Sequence, residues 1–439
     1  MYSKHLACLI VAAGLLAAPS ADAATGWVRG YAKFYNNMGN YCPSGENCSG
    51  ARYTESSYDT YLGIPDAQVN VYGEGHTLIG SGSTSSSGYF NIFWNSGVAP
   101  APNAAHIHIY PIHKDNRFRM RQANTASYHG NSPSFALPAG VSTDVGTWNW
   151  NSSDYFKNYW AAWKLWSRLD DSGGLQARFN DVWIYGFADT IGNGVGDVTC
   201  ETSCARGWYD LGGGPAWANS HPSVLLNDGA ELVTIHRIMH EIGHVVHYFA
   251  GNRFRFGGSY NYLSNDGWSM TERERRPAAL SEGFATFVSM AGLYNDYAPE
   301  PMECFSSSHC YASGRSMEDS QENLSGGCTA VTEPGRWPAN STRYFWDIYD
   351  ELDDGRDTLD ANFHDLIDTF YYYTCDGKPA CYGYQQKHSQ FDWVANDLSG
   401  ISYESNLDAG HQWEFRNEML QEENIDTADQ YFNNCLGYY

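Results

Sequence analysis

Residues Ile235 to Gly251 read IHRIMHEIGHVVHYFAG, and this stretch holds an H-E-x-x-H motif at His240, Glu241 and His244. On an α-helix, residues four apart share one face and lie about 6 Å apart along the axis. His240 and His244 are therefore predicted to bind one Zn²⁺ together, since tetrahedral zinc sites take imidazole nitrogens. Glu241 lies beside the metal and is the candidate general base, because zinc lowers the pKa of a bound water to about 7. The motif still needs a third ligand from elsewhere in the chain.

A second predicted helix, from Pro277 to Met290, supplies that ligand. Its sequence ALSEGFATF carries a single acid, Glu282, among small and apolar residues. Such a helix can pack on the first and direct the carboxylate inward, where an unpaired charge would be costly. Coordination to Zn²⁺ removes that cost, so Glu282 is the predicted third ligand. A metzincin would instead need Gly at 247 and His at 250, where this chain has His247 and Ala250.

With both motifs in this order, the chain resembles the gluzincin metallopeptidases over about residues 151–373. The resemblance implies a zincin catalytic unit: an upper mixed region with an edge strand, the active-site helix, and a helical lower region. It also implies zinc-dependent hydrolysis of peptide bonds. Relatives add a Tyr or His that stabilises the oxyanion, and Tyr344 is our candidate, with Tyr349 and His364 as alternatives.

The chain departs from that family pattern in two places. His244 and Glu282 are 38 residues apart, which predicts an insertion between the two helices. Thr286 stands where thermolysin-type relatives place an acid that orients a histidine, so we expect the orienting partner to come from elsewhere. Gly243, inside the first helix, is expected to allow close approach of the edge strand or of substrate.

Four further histidines carry weaker signals. His236 and His247 share the motif helix and are expected to support the ligands or to lie at the surface. His106 and His108 are two apart in a predicted strand, where they share a face. A metal there is conceivable, but we expect side chains that face solvent.

The N-terminal part of the chain is predicted to be β-structure. Alternating segments at residues 28–34, 67–72, 88–94 and 105–110 are separated by turn clusters such as Gly80 to Gly88, which is typical of a sandwich. The succession GIPDAQVNVY, SGYF and VGTWNW resembles the transthyretin-like, carboxypeptidase-regulatory sandwich. The predicted fold class is therefore multidomain α+β, with an all-β sandwich at 24–150 followed by a zincin-like, mainly helical catalytic domain at 151–439.

The first residues and the cysteines indicate export. Lys4 and His5 precede an apolar run, and Ala21-Asp22-Ala23 offers a cleavage site, so residues 1–23 are a predicted signal peptide and the protein is expected to be secreted or periplasmic. Ten of the 11 cysteines remain after cleavage, and an oxidising compartment favours disulfides. One possible pairing is Cys42–Cys48, Cys200–Cys204, Cys304–Cys310, Cys375–Cys381 and Cys328–Cys435, although spacing does not determine connectivity.

Net charge and composition limit the classes of partner that the protein is expected to bind. A net charge of −24 argues against nucleic acid, and no apolar run is long enough to span a bilayer. The acidic loop Asp189 to Asp197 offers oxygen donors for Ca²⁺, but an ordinary turn is the simpler interpretation. The leading expectation is a zinc peptidase acting on peptides or proteins. The alternatives are a non-catalytic surface- or matrix-binding protein with a vestigial zinc site, and a zinc hydrolase of a non-peptide amide.

Overall fold

The computed structural model describes residues 23–36, 60–97, 100–121, 128–150, 154–168, 181–185, 204–206, 222–226, 235–250, 276–293, 304–306, 309–310, 338–349, 363, 365–367 and 369. These residues form an α+β fold of mixed sheets and a few helices. Residues 1–22 of the predicted signal peptide, the Asp189 to Asp197 loop and most of the cysteines lie outside them.

The strands are β1 (Thr25–Asn36), β2 (Thr60–Gly63), β3 (Ala67–Tyr72), β4 (Leu78–Ser83), β5 (Tyr89–Asn95), β6 (His106–His113), β7 (Phe118–Arg121), β8 (Gly130–Asn131), β9 (Ser142–Trp150), β10 (Val182–Tyr185), β11 (Cys204–Arg206), β12 (Ser223–Leu225), β13 (Cys304–Ser306) and β14 (His309–Cys310). A short 3₁₀ turn at Glu74–His76 joins β3 to β4. The helices are α1 (Asp154–Arg168), α2 (Ile235–Ala250), α3 (Arg276–Leu293) and α4 (Pro338–Tyr349).

The first sheet is built on β1. This strand pairs antiparallel with β2 and β5 and parallel with β9. Its alternating sequence buries Val28, Ala32 and Phe34 on one face and leaves Trp27 and Tyr31 exposed on the other, as the period of two in a strand requires.

The second sheet has the order β11-β12-β10-β7-β6-β3-β4, with β8 also paired to β6. Its strands come from both sides of residue 150, because β10 pairs in parallel with β7, with Val182 opposite Phe118. Helix α1 packs against this region, where Tyr159 Oη donates to the carbonyl of Pro65 at 2.8 Å. One continuous hydrophobic cluster therefore includes residues from both predicted domains, and the boundary at residue 150 stays a prediction.

One expected turn proved to be a strand. The predicted turn cluster Gly80 to Gly88 begins within β4, and only its second half forms the turn into β5. The reason lies in the packing of the two sheets, since a Cβ at Gly80 would lie 2.6 Å from the carbonyl oxygen of Phe93. The glycines therefore permit β5 to lie directly on β4.

Helix packing around α3 is equally close. A Cβ at Gly243 of α2 would lie 2.7 Å from the Ala285 carbonyl oxygen and 2.8 Å from its Cα, and one at Gly283 would lie 2.5 Å from Ser341 Cβ of α4. The expectation that Gly243 admits the edge strand or substrate is wrong at this point of the helix. The nearest atoms belong to α3, so the glycine sets the distance between the two helices.

Two further observations complete the fold. No helix among the described residues is long and apolar enough to cross a membrane. The antiparallel pair β13–β14 places the backbone of Cys304 opposite that of Cys310, while the disulfide between them stays a prediction.

Candidate metal centre

The two motif helices bring His240, His244 and Glu282 together. Glu282 Oε2 lies 3.1 Å from Nε2 of His240 and 3.1 Å from Nε2 of His244. His240 and Glu282 are only 2% and 3% exposed. Among the described residues, this group is one of two that could hold a metal ion.

The distances from Glu282 Oε2 to the two imidazole nitrogens suit a tetrahedral cation. Zinc bonds of about 2.0–2.2 Å at tetrahedral angles separate neighbouring ligand atoms by about 3.3–3.5 Å. The two 3.1 Å distances need only a few tenths of an ångström to reach that separation. Two imidazoles and one carboxylate are a known donor set of catalytic zinc sites, which keep the fourth position for water or substrate.

Hydroxyl groups on α3 orient both imidazoles. Thr286 Oγ1 lies 3.1 Å from His240 Nδ1, and Ser281 Oγ lies 3.3 Å from His244 Nδ1. These contacts engage the Nδ1 atoms, while the Nε2 atoms face Glu282. The expectation that the orienting partner comes from elsewhere is wrong, because Thr286 itself takes the place of the acid. Thr286 follows Glu282 by one helical turn. That spacing is the sequence signal that could have identified Glu282 and Thr286 together, as ligand and orienting residue.

Electrostatics couple the three ligands. Burial acts to raise the pKa of Glu282, but the charge of His244 and hydrogen bonds from both imidazoles hold it well below the usual range. Burial lowers the pKa of His240 to about 4, against the opposing hydrogen bond with Glu282. Burial also acts to lower the pKa of His244, but Glu282 outweighs it and the pKa is raised. Glu282 is therefore a carboxylate and His240 a neutral imidazole, the forms that bind a metal.

Glu241 lies next to this group without belonging to it. Burial raises the pKa of its carboxyl to about 7, while the positive charge of His244 and a backbone hydrogen bond from Ala205 partly oppose the rise. Ala205 is the central residue of β11, which ends the second sheet as the described residues define it. A carboxyl group with a pKa near neutrality can both accept and return a proton.

The remaining candidates lie outside the ligand group. His236 and His247 are buried, so a surface position is wrong for both; His247 packs on Phe284, with ring centroids 4.8 Å apart. Tyr344 is fully buried on α4, and its contribution to an oxyanion stays a prediction. Tyr349 packs against Phe287, and His364 lies outside the described residues.

The two histidines of the β-region also differ from expectation. His108 is buried and His106 half-buried, so neither simply faces solvent. With His76 they form the second group that could hold a metal. Nothing in the sequence around His76 suggested that it would join them.

Comparisons with known proteins add no family. No protein-family model and no curated protein matches the chain. Among solved structures, a 9R-lipoxygenase from Cyanothece PCC8801 matches over 34% of this chain and 18% of its own, at 13% identity and a TM-score of 0.14. The matched part is thus less than a fifth of the lipoxygenase, and a likeness this slight supports no conclusion about fold or activity.

Proposed function

We propose that this protein is a secreted or periplasmic zinc-dependent metallopeptidase of gluzincin type. The observation that carries the proposal is the convergence of His240, His244 and Glu282 beside Glu241, whose pKa is raised to about 7. Metal ligands and a buried acid of neutral pKa are the two parts that metal-assisted hydrolysis requires. The proposed architecture is an N-terminal transthyretin-like sandwich followed by a zincin-like catalytic region.

In this proposal His240, His244 and Glu282 would hold Zn²⁺, and Thr286 and Ser281 would orient the two rings. The bound ion would supply Lewis acidity, which polarises a carbonyl and lowers the pKa of water. Glu241 takes a proton from the attacking water at its carboxylate oxygen and later delivers it to the leaving amine nitrogen. Burial raises the pKa of Glu241 to about 7, so the group can both accept and return this proton.

Strand β11 supports a peptide as the substrate. Among the described strands it lies at the end of the second sheet, antiparallel to β12, and Ala205 at its centre interacts with Glu241. An extended peptide can add to a free sheet edge through main-chain hydrogen bonds. A substrate bound there would pass beside the Glu241 carboxylate, which favours peptide bonds over unrelated amides.

The test is a peptide-library digest with wild type and Glu241→Gln at equal zinc content. The variant keeps the three ligands and the side-chain shape but loses the base, so activity should fall by about 10²–10⁴-fold. Asp144→Asn is the matched control, because it removes an acid from an exposed ion pair with Arg29. Undiminished cleavage by Glu241→Gln would contradict the mechanism, and cleavage of simple amides alone would point to a non-peptide amide hydrolase.

A second candidate function, binding to a surface or matrix, rests on the exposed face of the first sheet. Trp27 and Phe93 are 45% and 48% exposed, with ring centroids 5.4 Å apart, and Tyr31 and Tyr89 form a second pair at 5.2 Å. Exposed aromatic surface marks binding sites, and flat rings of this kind can stack on the C–H faces of sugars.

This candidate is tested by co-sedimentation with insoluble polysaccharides. Trp27→Ala and Phe93→Ala should lose binding, whereas Leu78→Ala, which removes an exposed apolar side chain from the other sheet, should not. Binding by the Glu241→Gln variant would show that the two functions are separate. If Trp27→Ala, Phe93→Ala and Leu78→Ala all bind equally, the aromatic face is excluded as the binding surface.

A further inference from the structure

A second cluster of histidines lies in the β-region, apart from the His240 group. His106 and His108 project from the same face of β6, two residues apart in the strand. His76 comes from the turn between β3 and β4 and reaches over this face. One ring nitrogen from each of the three lies within 4.8 Å of the others.

The ring nitrogens of His76 and His106 are nearly as far apart as two ligand atoms of one metal ion. His76 Nδ1 lies 2.9 Å from His106 Nε2, whereas two ligands of one tetrahedral zinc ion lie about 3.3 Å apart. The ring centroid of His108 is 5.0 Å from that of His76 and 5.0 Å from that of His106. Small rotations of the three imidazoles would therefore place their nitrogens around one ion.

Neighbouring tyrosines orient two of these rings. Tyr72 stacks on His76 at 4.3 Å, with an interplanar angle of 2°. Tyr110 Oη lies 3.2 Å from His108 Nδ1 and 3.0 Å from Tyr72 Oη. Because this bond occupies Nδ1 of His108, Nε2 is the nitrogen left for an ion.

The backbone at His76 adds a separate observation. His76 has a φ of 62°, in the left-handed region, where non-glycine residues are uncommon. Such conformations cost free energy and recur at ligand-binding sites. This conformation belongs to the turn that carries the His76 ring to His106.

We propose that His76, His106 and His108 form a second metal site, which binds a divalent transition-metal ion such as Zn²⁺ or Cu²⁺. Three imidazoles suit these ions and disfavour Mg²⁺ and Ca²⁺, which prefer oxygen ligands. Among the described residues no carboxylate belongs to the group, so a bound ion would keep its positive charge and could take water or an anion as a further ligand. The site is independent of the proposed peptidase centre.

The charge state of the histidines supports binding. Burial, followed by the neighbouring His129, His106 and His76, lowers the pKa of His108 to about 4. Burial and His76 also lower the pKa of His106. In their neutral form, the imidazoles of His106 and His108 carry the lone pair that a metal needs.

An ion at this position would join the β3–β4 turn to β6. His76 is the last residue of the turn before Thr77. A metal bond to its side chain would therefore fix the turn at one more point. Metal that binds only the folded state increases the free energy of unfolding with the logarithm of metal concentration above Kd, and so raises the melting temperature. This gives the site a readout that does not depend on catalysis.

The experiment uses the full chain in a His240→Asn background, which disables the proposed peptidase centre. Metal content is measured after equilibration with Zn²⁺, and Cu²⁺ titration is followed by electron paramagnetic resonance. The background variant should bind one ion, give nitrogen hyperfine structure with Cu²⁺, and gain melting temperature with metal. Adding His76→Asn or His106→Asn should abolish all three effects, and asparagine tolerates the left-handed backbone at position 76.

His129→Asn is the matched control. His129 stacks on His108 at 4.3 Å but is not among the three ligands, so its loss should leave one ion bound. The proposal is overturned if the His240→Asn protein binds no ion, or if His76→Asn and His106→Asn leave binding unchanged. Failure of the peptidase proposal is distinct: wild type would then bind one ion, which His76→Asn removes and His240→Asn does not.

Discussion

At the scale of single residues, a threonine hydroxyl contacts the first candidate metal ligand, His240. Thr286 Oγ1 lies 3.1 Å from His240 Nδ1, and both side chains are buried. When Nε2 binds a metal, a hydroxyl can accept a hydrogen bond from Nδ1–H, as a carboxylate does in other zinc sites. The difference is that threonine adds no negative charge behind the ring.

Thr286→Val removes this hydroxyl and keeps the shape of the side chain. We expect zinc affinity to fall by about 10–100-fold, the usual effect of losing a partner behind a ligand, with the fold retained. Competition with a fluorescent chelator measures the change. Ser289→Ala, which deletes a hydroxyl bonded to the Thr286 carbonyl on the same helix, is the control and should bind zinc as wild type does.

His113 makes stability depend on pH. Its side chain is buried against Trp166 and Phe118, with ring centroids 4.4 and 5.2 Å away. Burial lowers its pKa from 6.5 to about 4. Between these pH values the unfolded chain binds a proton at His113 that the folded protein does not bind. The contribution of His113 to the free energy of unfolding is therefore full above about pH 6.5 and is lost as the pH falls towards 4.

His113→Asn should flatten this decline, because asparagine is neutral at every pH. The wild-type loss attributable to His113 should be at most about 3 kcal/mol between pH 7 and 4. Urea unfolding at a series of pH values, with a chelator present so that metal release does not contribute, measures both slopes. Parallel slopes for the variant and wild type would show that another group is responsible.

At the scale of elements, the site depends on the close contact between α2 and α3. Gly243 lies one residue before His244, and any side chain there meets the backbone of Ala285. Gly292 of α3 also lies in a tight place, but its nearest neighbours are the flexible ends of Leu165 and Met239. The two glycines therefore differ in what must move when a methyl group is added.

Gly243→Ala should separate the helices and displace Glu282 from the two histidines. We expect a loss of about 1–3 kcal/mol of stability, as for other overpacked cores, together with reduced zinc content. Gly292→Ala is the matched control, since side chains can yield and alanine favours a helix by about 1 kcal/mol. Unfolding midpoints and metal analysis of both variants test this; a stable, zinc-replete Gly243→Ala protein would mean that the helices can yield.

The sequence predicts these elements well where a single period dominates. The strand at 67–72 has the bounds of β3, and the motif helix continues to Ala250 as expected. The ligand group follows from helical spacing plus one buried acid. Contacts between segments distant in the sequence are harder to predict. Nothing in the local sequence relates His76 to His106, and the role of Gly80 depends on β5, a strand of the other sheet.

At the scale of the whole molecule, the second sheet joins the two halves of the chain. Strand β10 pairs with β7, and α1 covers residues from the N-terminal region, including Phe34, which packs on Trp160 at 6.5 Å. Removing everything after residue 150 would expose one edge of β7 and the apolar surface beneath α1. Exposed edges and apolar faces favour aggregation.

Two fragments test how independent the N-terminal region is. A fragment of residues 24–150 should aggregate or unfold without cooperativity, whereas one of residues 24–185, which keeps α1 and β10, should be more soluble and unfold at higher urea. Light scattering and urea denaturation compare the two. A cooperative transition of equal midpoint for the shorter fragment would support a domain boundary at residue 150.

The central claim is that two helices hold a catalytic cation beside Glu241, and anomalous diffraction at the zinc edge tests it most directly. Crystals of the full chain equilibrated with Zn²⁺ should show a peak about 2.0–2.2 Å from Nε2 of His240, Nε2 of His244 and the Glu282 carboxylate. Glu241 should lie near the peak without bonding to it. A zinc-equilibrated crystal with no peak between these three side chains, or with Glu241 as a direct ligand, would contradict the account.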